Sequence, residues 1–184
     1  IFRGYELPDG LQPQLNVAHT YRRERDAAIP TNGIQASLVE VDTATGIVRC
    51  VQHWVVEDCG RIVNPLLVDE QIRGGVVQGI GAALFEACRY DAAGQLLTGT
   101  LADYLLPMAT EMPDITVAHV ETPYSGSALG AKGAGEAGTC AAAAAVLNAV
   151  NDALAPHGTS ISITPITPER VLRALGSLTT EDHP

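Results

Sequence analysis

Two periodicities divide the chain. From Gly33 the run IQASLVEVD places Ile34, Ala36, Leu38 and Glu40 on one face and Gln35, Ser37, Val39 and Val41 on the other. Alternation of period two over this length predicts a β-strand. TATG supplies a turn, and residues 47–56 form the return strand of a hairpin, with Trp54 expected as a packed core residue. Asn64-Pro65 is a turn signal. Val68, Ile72, Val76, Ile80 and Leu84 then recur near helical spacing, and a helix is expected across LLVDEQIRGGVVQGIGAALFEACRY, residues 66–90. Gly74, Gly75, Gly79 and Gly81 lie inside it, each about 1 kcal/mol less favourable than alanine in an isolated helix. Gly75 and Gly79 share a face, which suits close packing of another backbone or close approach of a bound cofactor.

Further along, residues 91–95 read as a turn, and Ile115 to Glu121 alternate as a strand. TCAAAAAVLNAVNDAL, Thr139 to Leu154, is the clearest helix, with Leu147, Val150 and Leu154 on one face. SISIT, residues 160–164, predicts a short strand, and Thr167 and Pro168 have the chemistry of an N-cap and a first helical residue. The expected fold class is α+β, a two-layer sandwich of a mixed sheet and helices. Residues 1–32, punctuated by Pro8, Gly10, Pro13 and Pro30 and carrying the charge run YRRERD, read as an irregular N-terminal connector; 33–176 read as the folded domain and 177–184 as a tail.

Composition narrows the function. The chain has 184 residues, 46% of them hydrophobic and 17% charged, enough apolar content for one real core. A formal charge of -10 argues against a nucleic-acid-binding surface, so an anionic cofactor would need local donors. No apolar run approaches the roughly 20 residues of a membrane span, no signal-peptide pattern is visible, and a cytoplasmic location is expected. The first residue is Ile1, consistent with a piece of a longer chain. Cys50, Cys59, Cys88 and Cys140 form no metal-ligand spacing, so free thiols, buried or partly buried, are expected and no iron–sulfur site.

The chemistry concentrates in GAKGAGEAGT, Gly130 to Thr139, which joins a small-residue loop to the N-terminus of the clearest helix. Such a junction presents unpaired N–H groups and a partial positive charge, a setting for phosphate, oxo groups or carboxylates. It is neither a Walker A loop nor a dinucleotide fingerprint, because the lysine and glycine spacings differ from both. Glu136 admits two readings. It could be an ordinary carboxylate favoured by the helix dipole, or a carboxylate that a thin glycine loop presents to a site. Lys132 could pair with Glu136, contact an anion or be solvated.

These residues bear a family resemblance. GAKGAGEAGT resembles the GVKGxGEAGT signature of the molybdenum hydroxylases, the family of xanthine dehydrogenase, aldehyde oxidase and aerobic carbon monoxide dehydrogenase. VVEDCGRIVNPLLVDEQIRGGVVQGIGAALFE, GQLLTGTLADYLLP and ITPERVLRAL resemble further blocks of that family in the same order, from about Thr20 to Leu175. The resemblance implies the C-terminal portion of a molybdopterin-binding large subunit. It implies that Glu136 is the active-site base of a hydroxylation whose oxygen comes from water. It places Gln71, with an amide that both donates and accepts, beside the pterin cofactor, and it assigns cofactor contacts to Lys132, Gly133 and Gly135. No side chain of this chain is expected to ligate the metal.

The same resemblance implies molybdopterin with molybdenum, in the cytosine dinucleotide form, and a small-molecule substrate, an aldehyde or an N-heterocycle. It implies an upstream part of the same large subunit, and iron–sulfur and FAD modules on partner subunits. Without them the isolated chain is expected to be inactive. YSGSALG, Asp69 and Arg73 depart from the usual family residues, which puts substrate contacts near them in question. Two other readings stand beside the enzyme: a catalytically silent structural fragment that self-associates as a homodimer through its open faces, and a module that grips an anion at 130–139 without chemistry.

Overall fold

The predicted hairpin forms in the computed structural model, which describes residues 16–22 and 29–178. Strand β1 (Asn32–Val41) pairs antiparallel with β2 (Val48–Asp58), and β2 pairs in parallel with β3 (Asp114–His119), giving a mixed sheet of order β1-β2-β3. Helices α1 (Pro65–Leu84), α2 (Ala137–Leu154) and α3 (Pro168–Ala174) complete the α+β fold. Apart from Asn32, which opens β1, the described part of the connector has no regular structure; residues 1–15 with Pro8, Gly10 and Pro13, Arg23 to Asp26 of its charge run and the tail from 179 lie outside the described residues.

The inward face of β1 is the one carrying Gln35, Ser37, Val39 and Val41. A bulge aligns the other strand with it. Leu38 pairs with Gln52 and Val39 with Cys50, so Val51 is an extra residue. That extra residue lets Cys50 and His53 both point inward, although their spacing is odd. Val55 and Ile115 join them, and the core closes with Ile72, Val76 and Ile80 of α1 and Ala142, Val146, Val150 and Leu154 of α2. Trp54 pairs with Ala36 and lies on the opposite face, 38% exposed, so it is not the core residue expected of it. Ile34 and Leu38 share that uncovered face. Alternation established that one face is buried but not which one, and the apolar face is the open one.

Helices α1 and α2 cross at glycines. A Cβ on Gly75 would lie 3.0 Å from Gly138 Cα, and one on Gly79 would lie 2.5 Å from the Ala142 methyl. A Cβ on Gly138 would come within 2.2 Å of the Ile72 carbonyl oxygen. Close helix packing therefore accounts for Gly75 and Gly79. Asn64 caps α1 by accepting from Leu67 N–H, and Thr167 caps α3 by accepting from Arg170 N–H, with prolines at both first turns.

Two expected elements differ. Helix α1 stops at Leu84 rather than continuing to residue 90, where the N–H groups of Phe85 and Glu86 both turn back to Gly81 O. Residues 160–164 form no strand. The Asn151 side chain takes both backbone groups of Ile161, accepting from its N–H at 2.8 Å and donating to its carbonyl at 2.9 Å. A side chain thus replaces the neighbouring strand that a ladder would need. Of the cysteines, Cys50 and Cys59 are buried but Cys88 and Cys140 are exposed, and all are free; burial pushes the Cys50 thiol up to about 11.

Candidate active site

The end of β2 anchors the glycine loop. Lys132 N–H donates to Cys59 O at 2.8 Å, Arg61 N–H donates to Gly130 O at 3.0 Å, and Gly60 bridges Ala131. Gly60 sits at φ +64°, and a Cβ there would lie 2.4 Å from Gly130 O, so no side chain fits. Beneath this bridge Lys132 Nζ reaches Asp58 Oδ2 at 3.0 Å, with both side chains almost wholly buried. The other oxygen of Asp58 accepts from the N–H groups of Gly60 at 3.0 Å and Thr122 at 3.1 Å. Hydrogen bonding from Thr122, then from Gly60 and Lys132, outweighs burial and holds the Asp58 carboxyl well below its ordinary range. Lys132 is thus neither solvated nor paired with Glu136. Its ammonium is engaged beneath the loop.

The next residues are open. Gly133, Gly135 and Glu136 are exposed, and a Cβ on either glycine would meet nothing within 4 Å. Neither glycine has positive φ. Among the described residues nothing accepts from the N–H groups of Gly133, Ala134, Gly135 or Glu136. Glu136 is the N-cap residue of α2, yet its carboxylate makes no capping bond. Its backbone carbonyl instead accepts from Thr139 and Cys140 N–H. Gln71, exposed on α1, donates its side-chain N–H to Gly135 O at 2.9 Å. Three of the sequence-derived residues, Gln71, Gly135 and Glu136, therefore meet at one junction with Gly133 beside them.

Sequence reasoning missed the layer below. Ser37 Oγ lies 2.8 Å from His53 Nδ1, and His53 Nε2 lies 3.1 Å from Gln35 Oε1. Gln35 Nε2 donates to the carbonyls of Ala137 at 3.3 Å and Gly138 at 3.0 Å, and faces Glu57 Oε1 at 3.3 Å. His53 and Glu57 are buried. Burial pushes the His53 imidazole down and the Glu57 carboxyl up, the latter opposed by the Gln35 bond and by His119. The available signal was Gln35 and Ser37 sharing a strand face with Val39 and Val41. Asp69 and Arg73, the departures from the family pattern, tie α1 to β3: Asp69 Oδ1 is 2.6 Å from His119 Nε2, and Arg73 Nε donates to Ile115 O at 3.4 Å. A mainly apolar cavity lined by Leu84, Phe85, Leu101, Tyr104 and Ile166 shares no residue with the glycine loop.

Residues 5–113 match the family model described as the molybdopterin cofactor-binding domain. The chain belongs to this family. It is one of the molybdopterin-binding large-subunit sequences of the molybdenum hydroxylases. The nicotine 6-hydroxylase large subunit of Paenarthrobacter nicotinovorans is 47% identical over 167 residues, 91% of this chain and 20% of that protein. The carbon monoxide dehydrogenase large chain of Hydrogenophaga pseudoflava is 34% identical over 176 residues, 93% of this chain and 21% of that protein. The crystal structure of quinoline 2-oxidoreductase from Pseudomonas putida 86 superposes with a TM-score of 0.78 at 47% identity, covering 79% of this chain and 19% of that one. The chain spans about a fifth of the length of the curated relatives it matches.

The junction fits a molybdopterin cofactor by its own geometry. The chain leaves open space beside two glycines, presents N–H donors with no acceptor among the described residues, suited to oxo and phosphate oxygens, and holds a carboxylate with no hydrogen-bond partner among the described residues. No helix among the described residues is long and apolar enough to cross a membrane.

Proposed function

We propose that this chain is part of the catalytic large subunit of a molybdenum hydroxylase and that Glu136 is its base. The observation that carries this reading is the bare carboxylate. Glu136 stands exposed at the start of α2, free of hydrogen bonds from the described residues, beside two glycines that leave the space next to it unfilled. A general base needs hydrogen-bond reach to the proton it removes, and an intramolecular donor would occupy the oxygen lone pair that takes it and lower its basicity.

The bound molybdenum cofactor supplies the redox chemistry and the site of oxygen transfer. The residues of this chain do the rest. Gln71 braces the Gly135 carbonyl and keeps the loop against α1. The N–H groups at Gly133 and Gly135 line the cofactor, in the cytosine dinucleotide form. Lys132 enters this reading as the buried anchor of the loop, through Asp58. Glu136 would take a proton from the water-derived oxygen as that oxygen replaces hydrogen on the substrate carbon, the electron pair of the broken C–H bond going to the redox chemistry that the cofactor would supply. The substrate is a small N-heterocycle rather than an aldehyde, because nicotine and quinoline, named in two 47%-identical relatives, both carry a nitrogen heteroaromatic ring. The complete assembly adds the upstream part of the same subunit and separate iron–sulfur and flavin subunits. The uncovered Ile34, Leu38 and Trp54 face supports such a covering.

In the complete, cofactor-loaded enzyme, Glu136→Gln lowers turnover by about 10²- to 10⁴-fold, the range of a lost general base. Molybdenum content and unfolding midpoint stay at the parent values. A near-normal rate overturns the assignment. Molybdenum and pterin assays on the isolated chain and the complete assembly give metal only in the assembly; stoichiometric metal in the isolated chain contradicts the shared site.

A further inference from the structure

We propose that Gln35, held in register by His53, is the positioning residue for Glu136. This rests on the reading of Glu136 as the base. Glu136 is the last residue before α2, so its direction follows the first helical turn. That turn is held from two sides. On one side α1 abuts it, with Gly138 against the Ile72 carbonyl and Gln71 on Gly135 O. On the other, Gln35 of β1 donates to the carbonyls of Ala137 and Gly138, the two residues that follow Glu136.

The orientation of the Gln35 amide follows from its partners. Its nitrogen faces three acceptors, the Ala137 and Gly138 carbonyls and the Glu57 carboxylate. The amide oxygen must then face His53 Nε2, which has to carry a proton to donate. Nδ1 of the neutral ring accepts from the Ser37 hydroxyl. Burial disfavours the charged ring, and the orientation of the Gln35 amide then selects the tautomer with the proton on Nε2. A Ser37–His53–Gln35 relay thus runs along the inner face of the sheet and ends at the turn behind the base. Hydrophobic packing alone would leave that face to Val, Ile and Leu. A buried histidine and a half-buried glutamine, each satisfied by the next, specify one rotamer of Gln35 and one position of the turn.

The test uses the complete, cofactor-loaded enzyme. Gln35→Met keeps the length of the side chain and removes its donors. The expected result is a kcat lower by about 10- to 100-fold, as for a small displacement of a reacting group. KM and molybdenum content remain near the parent, the unfolding midpoint falls modestly because the buried His53 N–H loses its acceptor, and backbone amides 136–142 exchange hydrogen faster. In a Glu136→Gln background the same change adds no further loss, since both act on one step. A kcat within about twofold of the parent for Gln35→Met, where Glu136→Gln lowers turnover by about 10²-fold or more, overturns the positioning role and leaves the base intact. Normal turnover in Glu136→Gln overturns the base reading itself.

If Gln35→Met fails to assemble, His53 decides. His53→Leu lowers kcat about tenfold, and His53→Gln, which can still donate to Gln35, restores it to within about threefold. Equal kcat in the two overturns the proposal.

Discussion

Two sets of glycines have opposite surroundings. Gly75, Gly79 and Gly138 stand where α1 meets α2, and any Cβ would strike backbone or methyl atoms of the other helix. Gly133 and Gly135 stand in the open, where a Cβ would meet nothing and the backbone has no positive φ to favour glycine. The fold explains the first set completely. The fold gives no reason for the second set; in the proposed reading the cofactor takes up the space beside Glu136. A glycine that packs and a glycine that makes room look alike in sequence; the difference lies in what fills the missing volume.

The comparison can be broken by substitution at each kind of site. The largest effect on the fold is expected for Gly138→Val. Its Cβ would sit 2.2 Å from Ile72 O and 2.9 Å from Val76 N, both backbone atoms that cannot rotate away. Overpacking of this kind costs about 3 kcal/mol or more, read as a lowered unfolding midpoint or loss of soluble protein. An unchanged midpoint would mean that the helices do not cross so closely.

Gly135→Val should do the reverse in the complete enzyme. Stability changes by less than about 0.5 kcal/mol, as at other exposed sites. Molybdenum and pterin content fall about tenfold, the result of a clash worth ~1.4 kcal/mol. A fully loaded, fully active Gly135→Val enzyme would remove the distinction between the two sets.

The smallest effect lies beneath the crossing. His53 has its pKa lowered from 6.5 by burial, so the unfolded chain takes up a proton more readily than the folded one. Its contribution is present above 6.5 and is lost as pH falls through the folded value. Glu57, with its pKa raised from 4.5, has the opposite sign: its contribution is present below 4.5 and lost as pH rises through the folded value. Unfolding midpoints measured from about pH 7.5 to ~5 should therefore fall less steeply in His53→Gln than in the parent. Parallel curves would show that His53 is not held neutral in the fold.

Much of this was legible beforehand. The hairpin, β3, α2 and the two proline-started helices follow from periodicity and capping chemistry that act within a few residues. The GAKGAGEAGT junction was visible as a glycine loop before an alanine-rich helix. Trp54 was misplaced because period-two alternation marks two faces without saying which packs, and here the apolar face is left open. Residues 160–164 looked like a strand because their alternation is genuine, but Asn151 supplies the partner that a strand would have needed. The Lys132–Asp58 pair joins residues far apart in the chain, and local pattern carries no trace of it.

Local sequence was enough for most of the elements and for the family, since propensity, caps and motif order are local properties carried by the residues themselves. Tertiary packing alone set the burial of Lys132 against Asp58, the burial of His53 and the placing of Gln35 behind the first turn of α2. It also decided which glycines pack and which stand open. Each of these depends on distances between residues remote in sequence, and those distances are set by how the helices close over the sheet.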